Sequence, residues 1–179
     1  MSQRDSGYER KERDLYETPA WVTRALLPHI PERIKHVWEP ACASGKMSGV
    51  LKEDFDVIET DISLGQDFLT CSRREVDAII TNPPYESAQE FIQRALGQVP
   101  FTAMLLRTDF DHAKTRSFLF GGHAFFSKKV VLTKRIKWFE ESKGQPSFNH
   151  AWFIWDWKHE GPPTLAYAPQ PSQERGHAE

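Results

Sequence analysis

Cysteine is scarce in this chain, and its cysteines and histidines do not cluster. Cys42 and Cys71 are the two cysteines among 179 residues, too few for the disulfide framework of a small secreted domain. The CxxC and HxxxH spacings are both missing from the sequence, and structural zinc sites depend on such closely spaced ligands. We therefore expect that the protein resides in a reducing compartment and has no metal site.

Long hydrophobic runs are also missing. No segment approaches the roughly 20 consecutive apolar residues that cross a bilayer, and residues 1–14 lack the apolar stretch of a signal peptide. These features predict a cytoplasmic protein that does not contact a membrane. The length suits one domain, which we assign to residues 15–158, between a flexible N-terminal segment, 1–14, and a flexible, proline-rich C-terminal tail, 159–179.

Charge is nearly balanced over the whole chain but unevenly distributed along it. The formal net charge is -2, which argues against a simple polyanion-binding protein. Residues 37–91 hold eleven acidic and four basic residues, whereas residues 107–143 hold nine basic and four acidic ones. The basic half is a candidate surface for a polyanion such as DNA.

Short apolar runs alternate with segments of helical periodicity. Strands are predicted at 36–39, 57–60, 76–81, 101–106, 130–133 and 151–157, and helices at 19–30, 47–52, 87–96 and 111–120. Alternation of this kind predicts an α/β fold with a central, mostly parallel sheet flanked by helices. In such sheets ligands bind at the carboxyl ends of the strands, near the point where the strand order reverses.

The strongest motif is Asn-Pro-Pro-Tyr at residues 82–85, directly after the apolar strand VDAIIT. Two consecutive prolines fix the backbone and remove two N–H donors, so that only carbonyl acceptors remain. The side-chain carbonyl of Asn82 adds another acceptor beside them. Two acceptors on one amino group localise its lone pair and make the nitrogen a nucleophile, while Tyr85 offers a flat face to a planar substrate.

A second motif, EPACASGKM at residues 39–47, follows the first predicted strand. Its small residues allow a tight turn and a close approach to a ligand. Asp61 ends the next strand, about twenty residues further on, where a carboxylate can accept from ribose hydroxyls. The carboxylate of Asp67 could accept a hydrogen bond from the amino group of an adenine, and Phe68 could pack against the adenine ring.

Together these segments resemble the S-adenosylmethionine-dependent amino-methyltransferases. EPACASGKM is similar to their first cofactor motif, with Ala43 where a glycine is usual, and NPPY matches the catalytic motif of N6-adenine DNA methyltransferases. Tyr16, Thr18 and Pro19 resemble the N-terminal YxTP element of that family. The resemblance covers about residues 15–157 and implies a Rossmann-like methyltransferase fold, S-adenosylmethionine as cofactor and DNA as partner. Small phage and prophage adenine methyltransferases, which lack a separate target-recognition domain, have this organisation.

The resemblance and the motifs together give three sets of candidate site residues. The catalytic set is Asn82, Pro83, Pro84 and Tyr85. The cofactor set is Tyr16, Thr18, Pro19, Glu39, Pro40, Ala41, Ala43, Gly45, Met47, Asp61, Asp67 and Phe68. The substrate set is Arg107, Arg116 and Phe148, and further basic residues that could meet DNA phosphates are Lys114, Lys128, Lys129, Lys134, Arg135 and Lys137.

The favoured function is transfer of a methyl group to the exocyclic N6 of adenine in DNA. Asn-Pro-Pro-Tyr also occurs where a protein glutamine is methylated, and guanine-N2 methylation of RNA is a further alternative. A catalytically silent binding module with the same fold is the alternative from another class. The YxTP element and the basic segment favour DNA.

Overall fold

The fold of this chain is described from a computed structural model, over residues 17–121, 125–138 and 148–169. Seven strands form one sheet. Their bounds are β1 His36–Glu39, β2 Asp56–Glu59, β3 Ala78–Thr81, β4 Phe101–Arg107, β5 Phe126–Val131, β6 His150–Asp156 and β7 Thr164–Tyr167. Three α-helices accompany them, α1 Ala20–Leu26, α2 Lys46–Leu51 and α3 Ala88–Leu96. The predicted fold class is confirmed.

The strand order in the sheet is β2-β1-β3-β4-β6-β5-β7. Strands β1 to β4 run parallel to one another, and β6 is antiparallel to both of its neighbours, β4 and β5. Because β6 runs the opposite way, its first residues lie at the edge of the sheet where the parallel strands end. The carboxyl ends of β1, β3 and β4 and the first residues of β6 therefore lie at the same end of the sheet.

Successive residues of the central strands enter two separate hydrophobic clusters, as the alternation of side chains in a strand requires. Ile80 and Trp152 pack with α1 and α2, whereas Ile79 and Phe153 pack with α3. Helices therefore cover both faces of the sheet. The indole of Trp152 donates to the carbonyl of Val22 in α1 at 2.8 Å, which fixes that helix on the sheet.

The structure corrects two sequence-based boundaries. Residues Thr164–Tyr167, within the predicted tail, form β7 and pair in parallel with β5. The predicted helix at 111–120 is replaced by two 3₁₀ segments, Phe110–His112 and Lys114–Leu119. The first error arises because local composition does not reveal that the edge of β5 supplies backbone partners for this segment.

Candidate functional site

The strand order reverses between β1 and β3, since the chain leaves β1 for β2 on one side and returns to β3 on the other. The loops that follow β1 and β3 are therefore neighbours, as expected for a ligand site in an α/β sheet. A cavity opens between these loops. Its lining residues are Glu17, Thr18, Glu39, Ala41, Cys42, Ala43, Ser44, Lys46, Met47 and Asn82.

The loop after β1 is shaped by left-handed backbone at two positions. Ala43 has φ 49° and Gly45 has φ 85°. The N–H of Ala43 donates to Oδ2 of Asp61 at 3.0 Å, which ties this loop to the end of β2. A Cβ on Gly45 would lie 3.1 Å from Oε1 of Glu59. The absence of a side chain at Gly45 therefore lets the carboxylate of Glu59 approach the loop.

Glu39 ends β1 and is only 2% exposed, beneath the floor of the cavity. Burial raises the pKa of its carboxyl to about 7, despite the hydrogen bond that the equally buried hydroxyl of Ser48 donates. Glu59 and Asp61 raise it further through their negative charges. The carboxyl of Glu39 is therefore a group that titrates near neutral pH inside the site.

Asp61 organises the loops around it. Its two carboxylate oxygens accept from the backbone N–H groups of Ala43 and Ser63. Burial would raise the pKa of Asp61, but a hydrogen bond from the side chain of Ser63, together with these two backbone hydrogen bonds, outweighs that effect and leaves the pKa below its usual value. Neither Asp61 nor Glu59 is among the residues that line the described cavity, and Glu59 lies against the loop at Gly45. The sequence motifs singled out Asp61 and did not single out Glu59.

Asp67 and Phe68 differ in their surroundings. Asp67 is half-buried and accepts from the N–H of Leu69 at 2.9 Å. Phe68 is 1% exposed and packs with its ring centroid 5.0 Å from that of Trp38 and 4.7 Å from that of Phe91. Phe68 belongs to the core beneath α3 and is not among the residues that line the described cavity, so its packing against a cofactor stays a prediction.

The N-terminal element closes one side of the cavity. Thr18 is buried and lines it, and Glu17 forms an ion pair with Lys46 of α2. Hydrogen bonds from Lys46 and Ser44 lower the pKa of Glu17. Glu17 and Lys46 also line the cavity, although the sequence motifs did not single them out. Their opposite charges, one within the YxTP element and the other within EPACASGKM, were the signal in the sequence that could have predicted this ion pair. Tyr16 lies outside the described residues.

The remaining members of the cofactor set surround the same loop. Ala41 and Met47 line the cavity, and Met47 is almost fully buried. Pro40 is buried directly after β1 but is not among the lining residues, and Pro19 stands at the N-cap position of α1. These two prolines shape the backbone near the cavity.

The Asn-Pro-Pro-Tyr segment begins immediately after β3. Asn82 is half-buried and lines the cavity, and Pro83 is buried. The carbonyl of Pro84 accepts from the N–H of Ser87 at 3.1 Å, which closes the 3₁₀ turn that carries Tyr85. The ring of Tyr85 is 61% exposed. The segment thus leads from the cavity at Asn82 to an aromatic face in solvent.

Arg107, one of the three predicted substrate residues, contacts the rings of both Tyr85 and Phe148. The guanidinium carbon of Arg107, the last residue of β4, lies 5.5 Å from the ring centroid of Tyr85 and 3.9 Å from that of Phe148. Phe148 is 48% exposed and comes just before β6. Asp109 binds the same guanidinium through both of its carboxylate oxygens, at 3.1 and 2.6 Å.

Other basic residues of the second half are occupied elsewhere. The guanidinium of Arg116 stacks 4.0 Å from the ring centroid of Phe110, a core residue. Lys129 donates to the carboxylate of Asp111 at 2.7 Å and to the carbonyl of Thr108 at 2.8 Å. Lys129, which the sequence offered as a possible phosphate contact, pairs with the partly buried carboxylate of Asp111.

The described part of the chain has neither a membrane-spanning helix nor a cluster of metal-binding side chains. Over residues 17–121, 125–138 and 148–169, no helix is long and apolar enough to span a membrane. Within the same ranges, no three His, Cys, Asp or Glu residues are grouped so that they could hold a metal ion.

Comparison with known proteins shows the fold alone. No protein-family model and no curated protein sequence matches this chain. A candidate class I S-adenosylmethionine-dependent methyltransferase from Listeria monocytogenes has a TM-score of 0.60 at 16% identity, and the match covers 91% of this chain and 67% of that one. The 23S rRNA methyltransferase ErmE has a TM-score of 0.54 at 16% identity, covering 79% and 68%. A candidate hemolysin from Lactococcus lactis has a TM-score of 0.54 at 9% identity, covering 85% and 93%.

Proposed function

We propose that this chain is an S-adenosylmethionine-dependent methyltransferase that modifies the exocyclic N6 of adenine in DNA. One observation carries the proposal. Asn82, the first residue of Asn-Pro-Pro-Tyr, lines the same cavity as the loop after β1, at the point where the strand order reverses. An amino group held by Asn82 would therefore face a ligand bound in that cavity.

The cavity suits S-adenosylmethionine by the chemistry of its lining. The left-handed residues Ala43 and Gly45 bring backbone close to a ligand. Glu39 lines the cavity and Glu59 lies next to it against Gly45, and the carboxyl of either can accept from hydroxyl or ammonium donors. Thr18, Ala41 and Met47 supply further contacts. When bound, S-adenosylmethionine supplies a methyl group already activated on a sulfonium, so the protein contributes binding and orientation.

The acceptor side uses Asn82, Pro83 and Tyr85. The side-chain carbonyl of Asn82 and the backbone carbonyl of Pro83 accept from the amino group and raise its nucleophilicity. Tyr85 stacks on the base, which must leave the duplex to reach the site, as other base-modifying enzymes require. The amino group loses its proton to an acceptor or to water, so no general base of shifted pKa is needed.

Exposed rings beside Asn82 favour a planar base as the acceptor. Tyr85 and Phe148 both leave much of their surface in solvent, whereas the flat amide of a protein glutamine would use far less of that surface. The structural likeness to ErmE, named as a 23S rRNA methyltransferase, keeps RNA as the main competing acceptor. Basic residues 107–143, where they are free, suit either nucleic acid.

The direct test is incubation of the purified protein with tritiated S-adenosylmethionine and unmethylated genomic DNA or total RNA. Digestion to nucleosides then identifies the labelled species. Label in N6-methyladenine from DNA is the expected result. Label confined to RNA nucleosides or to protein would move the acceptor to those classes, and no cofactor binding would favour the catalytically silent module.

Asn82→Ala tests the role of the motif. We expect the transfer rate to fall at least about a hundredfold, the range for losing one preorganised hydrogen-bonding group in an active site, while cofactor affinity stays close to that of the wild type. Gln93→Ala is the matched control, because it removes an exposed side-chain amide from α3. Turnover by Asn82→Ala equal to that of Gln93→Ala would refute the role of Asn82.

A further inference from the structure

The exposed rings of Tyr85 and Phe148 are partly covered by a single cation. The guanidinium carbon of Arg107 lies 3.9 Å from one ring centroid and 5.5 Å from the other. Both distances fall within the roughly 6 Å at which a cation is attracted to an aromatic face. A planar guanidinium stacks on such a face much as a planar base does. Arg107 and an acceptor base therefore compete for the same surface.

The sheet order explains why these three residues meet. Strands β3, β4 and β6 are adjacent, and Tyr85 follows β3, Arg107 ends β4 and Phe148 precedes the antiparallel β6. Arg107 pairs in register with His150, two residues after Phe148. Backbone pairing therefore brings these three residues to one place in the fold.

A second interaction holds the guanidinium in this position. Asp109 accepts from Nε and from Nη2 of Arg107. The carboxylate of Asp109 is 54% exposed, whereas the side chain of Arg107 is 26% exposed. Solvent around the Asp109 carboxylate screens this ion pair. Asp109 can therefore orient Arg107 without preventing its displacement.

We propose that Arg107 is a placeholder, whose guanidinium covers the ring faces of Tyr85 and Phe148 until an acceptor base displaces it. The inference rests on the proposed function, because it assumes that a base stacks beside Asn82. Whenever a base binds, the protein loses the contact between the guanidinium and the two rings, and this loss weakens the affinity for the base. Removing the guanidinium should therefore strengthen that affinity.

The test measures binding of 2-aminopurine deoxyriboside, a fluorescent nucleoside whose emission falls when it stacks. Saturating S-adenosylhomocysteine keeps the probe out of the cofactor cavity. Because the probe carries no phosphate, loss of an ionic contact to a nucleic-acid backbone cannot influence the result. We expect Arg107→Ala to bind the probe about three to ten times more tightly than the wild type, the factor that a partly exposed cation–π contact represents. Arg107→Lys keeps the charge without the flat group and should fall between them.

Arg33→Ala is the matched control. Arg33 is a partly exposed arginine that pairs with Asp156 at 2.5 Å, at the opposite end of β6. It loses an ion-paired guanidinium without uncovering Tyr85 or Phe148, so its affinity for the probe should equal that of the wild type. Unchanged or weaker binding by Arg107→Ala, with an unfolding midpoint like that of Arg33→Ala, would overturn the placeholder alone. Absence of probe binding in every variant, with cofactor binding intact, would overturn it together with the acceptor assignment.

Discussion

Two neighbouring residues of the loop after β1 adopt left-handed backbone, and only one of them is glycine. Ala43 stands where the resembling family usually has a glycine, yet it keeps φ at 49°. Its N–H bond to Asp61 holds that conformation, which costs an L-residue roughly 1–2 kcal/mol. The loop therefore takes a left-handed turn at Ala43 without a glycine there, which the sequence alone does not show.

Gly45 allows a direct test of this backbone requirement. With φ 85° and Glu59 close to its missing Cβ, Gly45→Ala should lower the free energy of unfolding by about 1–2 kcal/mol and weaken cofactor binding. Gly49→Ala is the matched control, because Gly49 lies within α2 with open space around it. That substitution should stabilise the protein by up to about 1 kcal/mol. Urea denaturation distinguishes the two, and a stabilising Gly45→Ala would contradict the strained geometry.

At the scale of elements, β7 changes the assignment of the C-terminal region. Its alternation is weak, and Leu165 and Tyr167 remain exposed. What orders the segment is the edge of β5, whose backbone pairs with β7 over four residues. Ala168 then buries its side chain and donates to the carbonyl of Val131 at 2.9 Å. Hydropathy could not reveal this strand, because its stabilisation comes from backbone hydrogen bonds to a distant segment.

Two truncations measure the contribution of β7. A chain ending at residue 158 lacks β7 and leaves the edge of β5 unpaired. A chain ending at residue 169 keeps β7 and its pairing with β5. We expect the shorter chain to be less stable than the longer one by on the order of 2 kcal/mol, from the lost backbone hydrogen bonds, and to aggregate more readily through its exposed edge. Thermal unfolding checks this, and equal midpoints would mean that β7 contributes nothing.

At the scale of the whole molecule, Glu39 and His150 have opposite pKa shifts and contribute oppositely to the pH dependence of stability. Glu39 titrates near pH 7 in the folded state and near 4.5 when unfolded. The folded protein therefore binds more protons between these values, and Glu39 makes stability fall as the pH rises through them. Burial, with the nearby charge of Arg107, lowers the pKa of His150 to about 4 from 6.5. His150 therefore makes stability fall as the pH decreases from 6.5 to 4.

Glu39→Gln separates these opposing contributions. Between about pH 4.5 and 6.5 the contributions of these two groups offset each other in the wild type. The variant lacks the contribution of Glu39 and retains that of His150. The stability of Glu39→Gln relative to the wild type should therefore rise with pH from about 4.5 to 7, by up to about 3 kcal/mol, and level off above. Chemical denaturation over this pH range checks the difference, and a constant difference would show that Glu39 does not titrate as described.

The sequence by itself determined the α/β class and located the two motif loops. Those features depend on contiguous residues, since a buried strand, a small-residue turn and a proline pair each carry their signal locally. Only the tertiary structure decided that Phe68 is core, that Glu59 lies against the loop after β1, and that Arg107 covers Tyr85 and Phe148. These outcomes depend on which distant strands become neighbours and in which register, which the order of residues along the chain does not state.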